Sequence, residues 1–194
     1  MGRPNLTKVR RAEILDAFER CVADYGLEGS SAERIAQEAG MKRSILRHYV
    51  GNREELIHAL ADRVVEKYRT GMEEYLRSTA EETPLDQLMG LLFPDQPIGT
   101  PETLMACEAL IGSADKYPRV RKLMTSYVDD LVVASARLLR SAFPEAGHAR
   151  CWAVAYGVVG LCFNQESLRP LQLPPRYPKA VRTCVDTLIE SLSS

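Results

Sequence analysis

Ile35-Ala36-Gln37-Glu38-Ala39-Gly40-Met41-Lys42-Arg43-Ser44-Ile45-Leu46-Arg47-His48-Tyr49 is the stretch whose reading decides the fold. It reads as two short helices joined by a tight turn. Ile35, Ala36 and Ala39 share one helical face. Gly40 supplies the backbone freedom that a sharp turn between helices needs. Met41 is placed to fill the gap between the helices, and the small Ala36 lets them cross closely. Ile45, Leu46 and Tyr49 repeat at helical spacing on the second helix, which gives it an apolar face. Its other face carries Lys42, Arg43, Ser44, Arg47 and His48, with no carboxylate. A short helix of this kind, held by a helix-turn-helix, suits the major groove of double-stranded DNA.

The charge of the surrounding chain is partitioned. Residues 1–53 hold ten Lys and Arg against seven Asp and Glu; the remainder holds fifteen against nineteen. The net charge of −1 therefore hides a basic first quarter and an acidic rest. Both carboxylate-free stretches, 1–12 and 39–53, lie in that first quarter, as a phosphate-binding surface requires.

Bulk properties exclude several classes. Of the 194 residues, 45% are hydrophobic and 26% charged, as in ordinary soluble globular proteins. No apolar run reaches the ~18 residues of a membrane span, and no apolar core follows the basic N-terminus, so neither a membrane partner nor a signal peptide is expected. Cys21, Cys107, Cys151, Cys162 and Cys184 show no C-x-x-C spacing, which speaks against a zinc site or a disulfide framework. They read as reduced thiols of a cytoplasmic protein. Cys151 and Cys162 lie three helical turns apart, which leaves a redox-regulated DNA binder as the alternative function. His48, His58 and His148 form no metal-ligand cluster. Neither a nucleophile–base motif nor a cofactor fingerprint appears, so an enzyme is not expected.

Helical periodicity and breakers divide the chain into an all-α arrangement. Residues 1–6 are expected as a basic arm. Asn5 or Thr7 caps a first helix ending at Gly26, and Ser30 or Ser31 caps the second. Asn52 caps a long fourth helix running to about Thr79, with Glu54 and Glu55 in its first turn. Pro84, Pro101, Pro118 and Pro144 open further helices, with proline-rich loops at 94–101 and 170–178. A final helix carries Val181, Val185, Leu188, Ile189 and Leu192. The organisation expected is a three-helix DNA-binding domain over 1–52 and a larger helical domain over 53–194.

Arg11-Ala12-Glu13-Ile14-Leu15-Asp16-Ala17-Phe18, Tyr25-Gly26-Leu27-Glu28-Gly29-Ser30-Ser31, Ile35 to Gly40, and Leu46-Arg47-His48-Tyr49-Val50-Gly51-Asn52-Arg53-Glu54-Glu55-Leu56 together resemble the DNA-binding domain of TetR-family regulators. The resemblance covers about the first 60 residues. It departs where Arg47 stands for an aromatic and Val50 for a phenylalanine; Arg47 adds a cation to the reading helix, and Val50 repacks. The resemblance implies a homodimeric repressor released from a palindromic operator by a small-molecule effector. By position, Arg43 and Arg47 are candidates for base reading, and Lys42, Arg53, Lys8 and Arg10 for phosphates. Ser31, Ser44, His48 and Tyr49 complete the candidate DNA-binding set.

Two further sets follow in the larger domain. The stretch 152–163 contains no charge, and a helix apolar all round must be covered on every side. Trp152, Tyr156, Val159, Gly160 and Phe163, with Val185, Leu188 and Leu192 of the final helix, are therefore candidates for a four-helix interface between two copies. The resemblance implies an effector cavity, with Tyr68, Met72, Met89, Met105, Met124 and Tyr127 as candidate lining. Glu108 is the sharper signal. It lies on an apolar stripe with Leu104, Cys107 and Ile111, where a carboxylate must pair, protonate or meet a cation. An effector with an apolar body and a polar or cationic head is the corresponding expectation.

Overall fold

The computed structural model describes residues 3–94 and 99–193, with side chains from Leu6 onward. Its described residues hold nine α-helices and no strand. They are α1 (Arg3–Gly29), α2 (Ala32–Glu38), α3 (Arg43–Val50), α4 (Arg53–Ser78), α5 (Pro84–Leu92), α6 (Pro101–Gly112), α7 (Pro118–Ala142), α8 (His148–Ser167) and α9 (Arg176–Glu190). None is long and apolar enough to cross a membrane.

Caps and breakers explain most boundaries. α1 kinks at Gly26, whose φ of 68° few other residues adopt readily. Ser31 Oγ accepts from Arg34 N at the start of α2, Thr83 from Asp86 N at α5, and Thr100 from Thr103 N at α6. Asn52 and Glu55 cap each other: Asn52 Oδ1 accepts from Glu55 N, and Glu55 Oε2 accepts from Asn52 N, a reciprocal capping box.

Three boundaries differ from expectation. α1 is already helical at Arg3, so neither Asn5 nor Thr7 caps it and most of the expected arm is helix; Pro4 is compatible with a first turn, where no N–H is needed. α8 starts at His148 behind Gly147, after a turn that Pro144 opens. α9 starts at Arg176, so Pro178 lies in its first turn rather than in a loop. Of the proline-rich loop at 94–101, residues 95–98 lie outside the described residues.

The chain forms two compact units, one of residues 1–70 with 98–126, the other of 71–97 with 127–194. In the first, α1 packs on α2, α3 and α6 around Ile14, Phe18, Ile35, Leu46, Leu56, Ile57, Leu60 and Leu110, all fully buried. In the second, Leu88 and Leu92 of α5, Val132 and Leu139 of α7, Cys151, Val154, Ala155 and Val158 of α8 and Val185 of α9 make one core. Gly90 makes room there for Tyr75, whose hydroxyl would have to shift if a Cβ were added.

Candidate nucleic-acid interface

The turn between α2 and α3 is built from backbone bonds. Ala39 N donates to Ile35 O, Gly40 N to Gln37 O and Met41 N to Ala36 O. Gly40 has φ 63° with open space where a Cβ would stand, so it is needed for its backbone conformation and not for room. Lys42 then takes an extended conformation, and α3 begins.

α3 is anchored by Leu46 and Val50, both buried. Arg43, Ser44, Ile45, Arg47 and His48 are all exposed. Tyr49 is half-buried and meets His48 edge-on, with ring centroids 5.1 Å apart. Lys42, Arg43 and Arg47 make no ion pair among the described residues. The outward face is thus cationic and hydrogen-bonding.

Ile45 corrects the expected apolar face. It is 42% exposed, because the seat it was given is taken by Val50, one turn after Leu46. On a two-turn helix the spacing of Ile45 and Leu46 allowed either to point inward. An exposed isoleucine among the reading residues is a functional candidate that periodicity missed; its exposure in the tertiary structure is the only signal.

Arg53 is the second correction. Its guanidinium donates to the carbonyls of Ser30 and Leu27 and lies over the Phe18 ring, 5.8 Å from the centroid. It ties the start of α4 to the turn before α2, and its donors are used inside the protein. Ser31 is occupied by its cap. Arg10 pairs with Glu13 at 2.8 Å on the exposed side of α1, and Lys8 is exposed with no ion pair among the described residues.

The other two candidate sets are each split. Trp152, Tyr156 and Gly160 share the exposed face of α8, with the two rings stacked nearly parallel, centroids 5.7 Å apart. Val159, Val185 and Leu192 are buried in the core of their own unit, and Phe163 and Leu188 pack against that core. A side chain already sealed within one chain cannot form an interface by direct contact, so Val159, Val185 and Leu192 are corrected to core positions, while Phe163 and Leu188 are half-buried. A Cβ on Gly157 would press Leu188, so that glycine serves the chain's own α9. Among the candidate lining, Met124 is buried, and Tyr68 and Glu108 are half-buried, in the first unit. Met105 is exposed there, against expectation, because the covered face of α6 is Thr103, Ala106, Cys107 and Leu110. Met72 and Met89 pack on the core of the second unit, where Tyr127 meets Phe163 edge-on at 6.3 Å.

The cysteines are free thiols. Burial, with lesser contributions from nearby carboxylates, pushes Cys107 and Cys162 up to about 12, away from the thiolate a redox sensor needs. Cys162 Sγ instead donates to Leu92 O at 2.9 Å.

Residues 14–60 match the family described as bacterial regulatory proteins, tetR family. The chain is similar to the HTH-type transcriptional regulator BetI of Rhizobium meliloti, 29% identical over 145 residues, which is 73% of this chain and 66% of that protein. It is also similar to the HTH-type transcriptional repressor AcnR of Corynebacterium efficiens, 39% identical over 51 residues, 26% of this chain and 27% of that one. Against the curated relatives first matched, the chain spans about half to two thirds of their length. In fold it is similar to a TetR transcription regulator of Haloarcula marismortui, with TM-score 0.77, 14% identity and coverage of 95% of this chain and 98% of that one. A transcriptional regulator of Rhodococcus gives TM-score 0.75, 16% identity and coverage of 94% and 95%. Residues 14–60 thus carry a DNA-binding helix-turn-helix of the tetR family, and the chain as a whole has the all-helical fold of these regulators.

Proposed function

We propose that the chain is a dimeric, effector-responsive DNA-binding transcription regulator acting in the cytoplasm as a repressor. One observation carries this reading: the solvent-facing side of α3 presents Arg43, Ser44, Arg47 and His48 on a helix anchored by Leu46 and Val50. Its first turns meet base edges in the major groove, and Lys42, Lys8 and Arg10 meet phosphates. Residues 1–52 form the DNA-binding domain; residues 53–194 carry effector binding and dimerisation. Trp152, Tyr156 and Gly160 form the apolar face on which a second copy packs by a two-fold axis, which matches a palindromic operator. The effector acts by differential affinity for two states of the dimer, only one of which fits both half-sites. The similarity to a relative named a repressor supports the sign of regulation.

Selection of bound sequences from random duplex DNA, followed by titrations at graded salt, tests the reading. The expected result is a palindromic site and a steep fall of affinity with salt. Absence of any preferred sequence at moderate salt overturns it.

A further inference from the structure

The buried row of α1 turns cationic where the helix leaves its core. Ile14, Leu15, Phe18 and Val22 are buried at successive i+3 and i+4 positions. Continued backward at 100° per residue, the same row runs through Arg11 to Thr7 and Lys8. From Leu6 to Ala12 every side chain is exposed, and even the apolar Leu6 and Val9 stay 54% and 47% open. At the inner end of this stretch, Arg63 Nη1 of α4 donates to the Ala12 carbonyl at 3.2 Å. Beyond it the helix overhangs.

Lys8 and Arg11 make no ion pair among the described residues. Arg10 stands on the other side of the helix, toward Leu6, and is tied to Glu13 at 2.8 Å. No carboxylate lies between positions 1 and 12. A stretch of helix without packing contacts is marginal in water, so these turns gain stability from whatever covers them. A polyanion fits their charge. Lys8 and Arg11 are ~4.5 Å apart along the axis at 1.5 Å per residue, close to the ~3.4 Å of axis per charge on one DNA strand.

We infer that Lys8 and Arg11, on the overhanging turns of α1, form a second contact to the DNA backbone, made by α1 as a helix. The inference deepens the proposed function and rests on it. The reading face of α3 meets the bases, while the overhang grips phosphates and carries no sequence information. Arg11 enters through the row it shares with the buried residues of α1, a relationship that its place in the sequence did not single out.

Anisotropy titrations of the full chain at graded salt, with the selected operator and with a mixed-sequence duplex, test the overhang. Replacing both cations, Lys8→Gln with Arg11→Gln, flattens the slope of log affinity against log salt by about 0.9 for each phosphate lost, equally on the two duplexes. Lys179→Gln, which removes an exposed cation of the second unit, leaves the slope as it is. Thr7→Pro keeps every charge but deletes the helical bond from position 7 to the carbonyl of position 3. It weakens both duplexes roughly 10- to 100-fold, the scale of a proline inside a helix. The overhang variants melt like the parent, because no side chain from 6 to 12 is buried. A parental salt slope in the double variant, or parental affinity in Thr7→Pro, overturns the proposal. A parent that selects an operator while the double variant keeps its slope retains the regulator reading and loses the overhang. A parent without sequence preference loses the regulator reading, and the slope on the mixed-sequence duplex then decides the overhang. A parent that binds neither duplex overturns both.

Discussion

Thr103 Oγ1 donates to Glu19 Oε2 at 2.7 Å, joining the first turn of α6 to the middle of α1 across 84 residues of sequence. Lys67 Nζ reaches both Glu19 oxygens and also Thr103 Oγ1, at 3.2 Å. Arg63 adds Glu19 Oε1, Asp16 and the Ala12 carbonyl. The helix that bears the first segment of the DNA-binding domain is thereby held to α4 and α6 by a buried carboxylate. Removing the hydroxyl with Thr103→Val takes one donor from that carboxylate, at about 1–3 kcal/mol of stability. Thr103→Ser keeps the donor and most of the stability. Urea unfolding of the three proteins checks this; a Thr103→Val midpoint equal to that of the parent would show that the bond contributes nothing.

Arg53 and Arg43 are predicted to fail in different assays. Arg53→Ala leaves the Ser30 and Leu27 carbonyls without their donor and lowers stability by about 1–3 kcal/mol, while the salt slope of DNA binding in the remaining folded protein stays as it was. Lys42→Ala instead flattens that slope by about 1 with little change in melting. Arg43→Ala weakens the preferred site by roughly 1–3 kcal/mol and relaxes the sequence preference. A flattened salt slope for Arg53→Ala would return that residue to the phosphate-contacting set.

Ile45 is predicted to read a thymine methyl. An exposed β-branched side chain among base-reading residues meets apolar surface in the major groove only at that methyl. Replacing single thymines of the selected operator by uracil should cost about 1 kcal/mol at one position in each half-site, the scale of burying one methyl group. In Ile45→Ala that penalty disappears. A uracil penalty that is the same in both proteins assigns the methyl to another residue.

Charging α8 separates interface from core. Trp152→Glu places a carboxylate on the exposed face, so the chain stays folded and sediments as a monomer. Val159→Glu buries an unpaired charge inside one chain's own core and costs several kcal/mol, which appears as aggregation or lost helicity. Sedimentation with circular dichroism distinguishes the two, and a Trp152→Glu protein that remains dimeric removes that face from the interface.

The sequence by itself marked most of what depends on residues within about one helical turn, though it misplaced the starts of α1, α8 and α9. Gly26 and Gly40 mark backbone conformations, Ser31 and Asn52 mark caps, and Pro84, Pro101 and Pro118 mark first turns. These signals act through hydrogen bonds three or four residues long, so they are legible without a fold. The carboxylate-free character of α3 is legible for the same reason, since it is a matter of composition. Tertiary structure alone decided which side of each helix turned inward and which cation was used internally. Arg53 and Arg47 are alike in sequence, yet only Arg53 finds carbonyls 23 and 26 residues away. Ile45 and Val159 likewise exchanged the faces expected of them, because an apolar residue on a helix that is short, or apolar all round, takes its side from what packs against it. Glu19 had no signal in its own surroundings, since its partners Arg63, Lys67 and Thr103 lie 44 to 84 residues away. Glu108 was visible as a carboxylate on an apolar stripe, but that no donor meets its Oε1 was decided by the packing of α6.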